Sequence, residues 1–404
     1  MKKIATLLLV CLLYGGLSCN SQTLHAIIFA NTKSPGNPNN PNDPGIGPSV
    51  TVDFERMGIE MTTIASFIGY KLKKYYYYDT SDRFSRSSLV NVLNSLSCGK
   101  DDIVFFYYSG HGGRYENEES DFPEMILKVP YGPAAPQYLY PLYDVYKNIR
   151  KKSPRLTIVF GDLCNSTWKG AYRNISTAKG ATMKSTSVCD IYKNLFLNVK
   201  GGLIAASSKP GHTSGCALFD DGSQAGGNFT ASFLQCLGIC VSQGKEISWN
   251  DLLENTRKTT QIVSKPDDQG EKQYPIFDLS DLKKAEPPVI PSSSQQAPSV
   301  SIDTPTTALD NLGEALTTIA NDRNKYSDRI KAISPTMSQY FSNPQVRIQV
   351  VGRDSKTIVN TTTVSSYLNY LSIATKMEQV MVLEDKKDAN GKIVYLKVHE
   401  MHKE

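Results

Sequence analysis

Two apolar segments, each ending at a reactive side chain, decide the fold of this chain. They read IVFFYYSGHGG at residues 103–113 and LTIVFGDLCNS at residues 156–166. Short runs made almost entirely of large apolar residues are typical of strands buried on both faces of a parallel sheet. The first run stops at His111, which lies between glycines, and the second stops shortly before Cys164.

Similar runs recur between residues 24 and 280 and alternate with segments of helical period. This alternation indicates a parallel sheet flanked by helices. We therefore predict an α/β fold, a three-layer sandwich around a mostly parallel six-stranded sheet. The predicted strands cover residues 24–31, 74–79, 102–109, 155–162, 202–207 and 274–277. The predicted helices cover residues 52–69, 85–96, 142–151, 227–243 and 249–262, and residues 33–48 form a surface loop.

The composition changes to Pro and Ser over residues 286–305, which indicates a linker. It divides a main domain at residues 22–285 from a small α+β domain at residues 306–404. In the small domain the pattern predicts one long helix at residues 307–333, a strand at 345–353 and a helix at 364–375. Strands at residues 378–384 and 391–400 then form a hairpin. No motif in this domain indicates a chemical activity.

Residues 1–21 have the three zones of a secretory signal: a basic start, a short apolar run and small residues around Cys19. We therefore expect an exported protein that is periplasmic, held at the cell envelope as a lipoprotein, or secreted. The apolar run is too short to span a bilayer as a permanent helix. The tripeptide ending at Cys19 resembles a bacterial lipobox, with Gly16 where such motifs prefer Leu. Lipidation of Cys19 and ordinary cleavage ahead of Gln22 both stay open.

Charge and motif content exclude several classes of protein. The formal net charge of +5 is too small to indicate binding to nucleic acid or to an anionic membrane. The short basic clusters at residues 71–74 and 150–152 are interpreted as solvated ends of secondary-structure elements. No zinc motif or phosphate-binding loop occurs, so we expect no metal and no cofactor. A membrane contact is expected only through a lipid on Cys19.

The two reactive side chains belong to one predicted site. In an open α/β sheet, ligands bind just outside the carboxyl ends of the strands. Neighbouring strands ending at His111 and Cys164 bring an imidazole and a thiol to the same edge, and cysteine peptidase chemistry needs that pair. The amides of Gly112 and Cys164 are candidate donors for an oxyanion hole, because glycine lets the backbone approach the substrate closely.

The two blocks together resemble the caspase-like clan of cysteine peptidases. An apolar block ending in His-Gly is followed about fifty residues later by one ending in Asp-x-Cys. Within the clan, Tyr-Ser-Gly-His-Gly and Gly-Asp-x-Cys-x-Ser are similar to metacaspases and their bacterial relatives. The resemblance covers residues 23–280, with a divergent stretch at 115–137. It implies the caspase-like sandwich, His111 and Cys164 as the catalytic dyad, Ser109 near them, and protein or peptide substrates.

The resemblance also implies an acidic specificity pocket. In metacaspases it is built from the Asp two residues before the nucleophile, matched by Asp162, and from an Asp opening the first helix, matched by Asp53. The residue before Asp53 departs from the family, since Val52 replaces Asn. Two carboxylates would select Arg or Lys before the cleaved bond. Ser207 and Ser208 match the strand at the pocket edge, and the calcium cluster of some metacaspases is not recognisable.

Other interpretations stay open at this point. Asp53 is an equally good candidate for the N-cap of the first helix, and Asp162 for a satisfied carboxylate at a strand end. A caspase-fold module that binds at the cell envelope without catalysis is the alternative from another functional class. Within the clan, a clostripain-like or legumain-like peptidase would differ in the residue it prefers before the cleaved bond.

Overall fold

The computed structural model describes most of the chain on both sides of the linker. The described residues are 22–36, 45–80, 82–128, 135–167, 188–218, 224–242, 246–267, 269–288, 307–321, 323–324, 326–342, 346–352, 357–374 and 377–402. The predicted signal at residues 1–21 with Cys19, and nearly all of the linker, lie outside the described residues.

A central sheet organises the amino-terminal two-thirds of the chain, in the order β11-β8-β7-β3-β1-β2. Strands β1, β2, β3, β7 and β8 are parallel, and β11 and the short β12 pair with β8 in the antiparallel direction. The strands are β1 (Thr23–Ala30), β2 (Lys71–Tyr78), β3 (Ile103–Ser109), β7 (Leu156–Asp162), β8 (Val199–Ala206), β11 (Ile276–Asp278) and β12 (Lys283–Lys284). Every residue of β3 and β7 is buried, as their apolar sequences predict.

Helices cover both faces of this sheet and make the predicted three-layer sandwich. One face carries α1 (Gly47–Ile68), α4 (Val188–Phe196), α5 (Asn228–Ser242) and α6 (Trp249–Val263); the other carries α2 (Arg86–Ser95) and α3 (Leu142–Arg150). Alternate side chains of each strand point into the two apolar cores. Phe160 of β7 faces the first core and meets the rings of Phe229, Phe233 and Trp249 edge-on.

Helix α1 differs from its predicted start. It begins at Gly47, five residues earlier than expected, with Pro48 in its first turn, and Gly69 ends it in the left-handed conformation. Asp53 therefore lies in the second turn, and the N-cap interpretation of Asp53 is wrong. The predicted surface loop is correspondingly shorter, and its residues 37–44 lie outside the described residues.

Two small sheets were not predicted. A three-stranded antiparallel sheet, β4 (Gly112–Gly113), β5 (Glu124–Ile126) and β6 (Leu139–Pro141), begins in the turn after His111 and includes part of the divergent stretch. A hairpin of β9 (Cys216–Leu218) and β10 (Gln224–Gly227) precedes α5. Strands of two to four residues carry too little periodic pattern to be found from sequence.

The carboxyl-terminal residues form a four-stranded sheet in the order β14-β13-β16-β15, with three helices. The elements are α7 (Thr307–Ala320), α8 (Tyr326–Tyr340), β13 (Arg347–Val351), β14 (Ile358–Thr363), α9 (Val364–Ile373), β15 (Met377–Lys387) and β16 (Ile393–His402). The predicted hairpin of the last two strands is present. Strand β14 was missed, because its sequence, IVNTTT, is mostly polar and has no apolar alternation.

The single long helix predicted at residues 307–333 is wrong. The chain turns at Asn321, whose side chain accepts a hydrogen bond from the amide of Arg323 at 3.0 Å. The buried guanidinium of Arg329 then donates to the carbonyl oxygens of Ile319 and Ala320, at 2.7 and 3.1 Å. These bonds satisfy the carboxyl end of α7, so two helices replace one.

Helix α1 connects the two parts of the chain. Val52 is 4 % exposed and belongs to the apolar core of the carboxyl-terminal elements, and Ile59 packs against the same core. The opposite side of α1 contributes Met57, Met61 and Ile64 to the core under the central sheet. Both cores therefore hold the helix that carries Asp53.

In the part of the chain that the structure describes, no helix is both long enough and apolar enough to cross a membrane.

Candidate active site

The pairing of β3 with β7 brings the two reactive loops together. Ser109 lies opposite Asp162 in the parallel register, and the amide of Gly110 donates to the carbonyl oxygen of Asp162 at 3.2 Å. Beyond the loops, the amide of Arg114 donates to the carbonyl oxygen of Ser166 at 3.0 Å. His111 and Cys164 lie between these two bonds, so both emerge at the same carboxyl edge of the sheet.

Hydrogen bonds hold His111 on both its backbone and its ring. Its carbonyl oxygen accepts from the Tyr108 hydroxyl at 2.7 Å and from the Ile126 amide at 3.0 Å. Its Nε2 lies 2.7 Å from Oγ of Ser34, a residue that is 3 % exposed. Burial lowers the pKa of His111 to about 4, so the imidazole is neutral at pH 7.

Ser34 is a site residue that the sequence did not indicate. It follows β1 in the predicted surface loop, yet its carbonyl oxygen accepts from the Gly47 amide at 3.2 Å, at the first residue of α1. This bond turns the loop inward and buries the hydroxyl against His111. A lone Ser in a polar, Pro-rich and Asn-rich segment has no distinguishing pattern.

The Cys164 thiol contacts the backbone of Ser214. The Ser214 amide donates to Sγ at 3.3 Å, and Sγ lies 3.6 Å from the Ser214 carbonyl oxygen. Burial raises the pKa of Cys164 above its ordinary value, and the neighbouring Asp162 carboxylate raises it further. The thiol is therefore protonated at neutral pH, and the His111 and Cys164 side chains are both uncharged.

Gly112 lies directly against the loop that carries Cys164. A Cβ at this position would lie 2.4 Å from Cδ1 of Leu163 and 2.7 Å from the carbonyl oxygen of Glu124. No other residue fits without displacing one of them, so the backbone of Gly112 is held close to the residue before Cys164.

Ser207 and Ser208 lie behind the Cys164 turn. The Ser207 hydroxyl accepts from the Leu163 amide at 2.9 Å and donates to the Leu163 carbonyl oxygen at 2.7 Å. The Ser208 hydroxyl donates to the same carbonyl at 3.3 Å. Both side chains are fully buried, so their hydroxyls hold the turn before Cys164 and are not exposed to a substrate.

Asn165 and Arg114 are further site residues that sequence reasoning missed. Nδ2 of Asn165 donates to the carbonyl oxygens of Asp121 and Ser208, at 2.8 and 3.0 Å. The buried Arg114 guanidinium donates to the carbonyl oxygens of Glu118 and Ser120, at 2.9 and 3.0 Å. Together they fasten the start of the divergent stretch beside the Cys164 loop. The one available signal was an Asn directly after Cys164.

A buried His-Asp pair supports the other side of the same loop. The amide of Asn165 donates to the carbonyl oxygen of His212 at 2.9 Å. Nδ1 of His212 lies 2.9 Å from Oδ2 of Asp267, and the His212 side chain is 4 % exposed. The imidazole of His212 therefore fixes a loop and does not face Cys164 through that nitrogen.

Asp53 and Asp162 are both buried at the amino-terminal end of α5. Asp53 accepts from the Ser109 hydroxyl at 2.8 Å and from the Gly227 amide at 3.0 Å. Asp162 accepts from the Thr230 amide at 3.0 Å and from the Thr230 hydroxyl at 2.7 Å. The first amides of a helix favour negative charge, which explains why this helix begins where the carboxylates lie.

Burial raises the pKa of both carboxyl groups, and the charge of Asp162 raises that of Asp53 further. Hydrogen bonds from Ser109 and Thr230 act in the opposite direction. The two acids therefore repel each other when both are ionised, at the end of the sheet that carries His111 and Cys164. Such a pair is stabilised by a cation placed between them.

Two adjacent glycines make room for the carboxylates. Gly226 has a φ of +93°, and a Cβ there would lie 2.4 Å from Oδ1 of Asp53. A Cβ at Gly227 would lie 2.1 Å from Oδ2 of Asp162. The Gly-Gly pair before α5 is thus required by the two acids.

Across the described ranges, no group of three His, Cys, Asp or Glu side chains is arranged to hold a metal ion. That the protein needs no cofactor stays a prediction.

The fold and the chemistry of this edge define an α/β cysteine peptidase domain. Residues 53–286 match the model of the caspase domain family, and the chain belongs to that family. Its activity is accordingly that of a cysteine peptidase acting on proteins or peptides.

Two solved structures are similar to this chain. The protein GSU0716 from Geobacter sulfurreducens is 16 % identical, with a TM-score of 0.34, over 69 % of this chain and 98 % of that one. The Drosophila initiator caspase Dronc is 11 % identical, with a TM-score of 0.32, over 64 % of this chain and 79 % of that one. No curated protein sequence matches the chain.

We expect Gly227→Ala to destabilise the protein, because its methyl group would overlap the Asp162 carboxylate. Overpacking of this kind costs about 1–3 kcal/mol of unfolding free energy. The control is Gly238→Ala in helix α5, which follows Gly227 directly, where no atom lies within 4 Å of the added Cβ. That change should stabilise the helix by about 0.5–1 kcal/mol. Urea denaturation measures both, and equal midpoints for the two variants would contradict the assignment of Gly227.

Proposed function

We propose that this protein is an exported cysteine endopeptidase that cleaves peptide bonds after Arg or Lys through the dyad of His111 and Cys164. The observation that carries the proposal is the register of β3 and β7, which brings both side chains to one edge between two backbone hydrogen bonds. Ser109 and Asp162, which lie two residues before His111 and Cys164, contribute to the proposed acidic pocket. One edge of the sheet thus supplies a nucleophile, a base and a specificity pocket.

The reaction starts from a neutral pair. As Sγ of Cys164 attacks the carbonyl carbon, the neutral imidazole of His111 takes the thiol proton. The imidazolium and the oxyanion therefore form only as the bond between sulfur and carbon forms. The amides of Gly112 and Cys164 donate to the oxyanion. His111 then protonates the departing amine and leaves a thioester on Cys164. A water molecule, deprotonated by His111, hydrolyses the thioester and restores the thiol.

Ser34 has a positioning role in this scheme. When its hydroxyl accepts the proton of Nε2, Nδ1 of His111 carries no proton and is the ring nitrogen that acts as the base. The bond also fixes the ring plane. Ser34 therefore acts through His111, as the third member of a triad orients its imidazole.

The acidic pair supports selection of a basic side chain. Asp162 lies two residues before Cys164, and Asp53 accepts a hydrogen bond from Ser109, which lies two residues before His111. Both acids are buried, and their negative charges repel each other. The positive charge of a guanidinium or ammonium group attracts both acids and offsets their repulsion, and the guanidinium can bind a carboxylate through two parallel bonds. A substrate with Asp at this position would bring a further buried acid against these two, which disfavours caspase-type specificity.

Export is the remaining part of the proposal, and it rests on the signal-like residues 1–21. The exported chain is either anchored through a lipid on Cys19 or released after cleavage ahead of Gln22. Mass spectrometry of the amino-terminal peptide from the native organism distinguishes the two.

We expect Cys164→Ala to abolish hydrolysis of a fluorogenic peptide with Arg before the cleaved bond, because the nucleophile is lost. Cys98→Ala is the matched control, since Cys98 is a free, half-buried thiol that precedes β3 at the opposite edge. It should keep full activity. Equal turnover by the Cys164→Ala variant and the unmodified protein would reject the dyad, and no turnover by any form would favour the non-catalytic module.

Ser34→Ala should lower kcat about tenfold and leave KM unchanged, because one hydrogen bond of about 1.4 kcal/mol is lost from the base and not from the substrate. Ser34→Thr, which keeps a hydroxyl, should restore most of the rate. Ser87→Ala, an exposed serine on α2, serves as the control. A rise in KM without a change in kcat would contradict the positioning role.

Asp162→Asn should lower kcat/KM for an Arg peptide by about 10- to 100-fold, the cost of one charge-assisted pair. The same change should leave a peptide with an uncharged residue at that position nearly unaffected. The control Asp82→Asn removes an exposed carboxylate and should leave kcat/KM unchanged for both peptides. A library profile that still favours Arg and Lys after Asp162→Asn would exclude the pocket assignment.

A further inference from the structure

At the amino edge of the central sheet, the end at which its parallel strands begin, cationic side chains from distant parts of the chain lie close together. This end is opposite the candidate active site. Because β1, β2, β3, β7 and β8 are parallel, their first residues lie side by side. Thr23 pairs with Lys71, and the Lys71 amide donates to the carbonyl oxygen of Gln22 at 2.9 Å. Further along, the Arg155 amide donates to Asp102 and the Gly201 amide to Arg155, at 2.9 and 2.8 Å.

We define the basic edge by six side chains that this arrangement brings together. They are Lys71, Lys100, Arg150, Arg155, Lys200 and Lys283. Five of them, all but Lys71, line one open cleft of about 430 Å³, together with Asp101 and Asp281. Lys200 and Lys283 are direct partners across the β8 and β12 pairing. The Tyr70 hydroxyl, next to Lys71, donates to the Asp101 carbonyl oxygen at 2.9 Å and joins β2 to the cleft.

The carboxylates of this edge leave most of that charge unpaired. Asp281 binds Arg150 at 3.1 Å, and Asp102 turns inward to the Thr23 amide and to His25. Within the described residues, no ion pair involves the four exposed lysines of the basic edge. Like charges held together in this way favour binding of an anionic surface.

The chain enters the fold at the same edge. Strand β1 begins at Thr23, and Cys19 precedes it by four residues, a length that spans at most about 14 Å. A lipid on Cys19 would therefore hold the basic edge against the headgroups of the bilayer. Lipid anchoring is stable when a second signal, such as a polybasic patch, adds to it.

We infer that the basic edge binds the anionic phospholipid surface of the membrane that the exported chain reaches, an inference that rests on the proposed export and not on the proposed catalysis. Each Lys or Arg near an anionic bilayer adds a similar favourable increment. In this orientation the parallel strands begin next to the bilayer and run away from it. At about 3.3 Å per residue, the seven residues of β3 place the Cys164 cleft about 23 Å farther from the membrane, where it faces protein substrates.

The bilayer is favoured over a nucleic acid by the position of the amino-terminal segment. The basic side chains are spread along a sheet edge, and none of their elements is a helix or ribbon presented as a separate unit for a groove. The leader predicted from residues 1–21 also directs the chain to a membrane surface.

The test uses the exported chain beginning at Asn20, which keeps every described residue and carries no lipid. Its binding to vesicles of phosphatidylcholine mixed with phosphatidylglycerol is measured by co-sedimentation, beside vesicles of phosphatidylcholine alone. We expect binding to the anionic vesicles only, and loss of that binding at about 0.5 M salt, where charges are screened within about 5 Å. Absence of binding to anionic vesicles at low salt would overturn the inference.

The triple variant Lys100→Glu, Lys200→Glu, Lys283→Glu should bind these vesicles on the order of 100-fold more weakly. The matched control reverses three exposed lysines elsewhere, Lys258→Glu, Lys265→Glu and Lys386→Glu, and has the same net charge. It should keep the affinity of the unmodified chain. Equal weakening of both triple variants would mean that net charge alone governs binding, and the basic edge would then have no specific role.

Two further measurements separate the possible failures. Turnover of the Arg peptide by the triple variant should equal that of the unmodified chain, since the altered lysines lie at the edge opposite the site. If the unmodified chain binds vesicles but shows no turnover, the proposed catalysis is rejected and the role of the basic edge is supported. Binding of a DNA duplex but not of vesicles, at the same ionic strength, would identify a nucleic-acid surface and reject the membrane assignment. If the triple variant does not fold, the salt dependence of the unmodified chain still decides.

Discussion

The parallel register of β3 with β7 is the constraint on which the site depends. Ser109 opposite Asp162 places both loops beyond the sheet at the same height, and the bonds of Gly110 and Arg114 close the space between them. Side chains alternate along a strand, so a slip by one residue would turn every buried side chain to the other face. Packing opposes that slip, because the side chains of the two blocks fill two different close-packed cores, one on each face of the sheet, and would have to exchange them.

A second group of contacts holds the two buried acids next to these loops. Ser109 binds Asp53, Thr230 binds Asp162, and the Gly226-Gly227 pair leaves the space that the carboxylates occupy. Helix α1 delivers Asp53, and it is held from both sides: by the core under the sheet and by the carboxyl-terminal elements that bury Val52. The carboxyl-terminal residues therefore take part in positioning Asp53. Their packing explains why an apolar residue precedes Asp53, where metacaspases prefer Asn.

The two edges of the sheet have opposite chemistry. The carboxyl edge buries two acidic side chains near a neutral imidazole and a neutral thiol. The amino edge exposes lysines around an open cleft. A parallel sheet separates such features by the length of its strands, so the acids and the lysines lie at opposite ends of the domain.

By itself, the sequence determined the sheet, the flanking helices, the family resemblance and the positions of His111, Cys164 and the two acids, because each depends on a local apolar run or a short motif. It could not show that Ser34 and Asn165 complete the site, since their contacts join segments that are far apart in the chain. The end of α7 at Ala320 depended on Arg329, and the start of α1 depended on contacts with Ser34. The basic edge was likewise a matter of tertiary structure alone: its lysines and arginines are scattered from residue 71 to residue 283, and only parallel pairing brings the starts of those strands together.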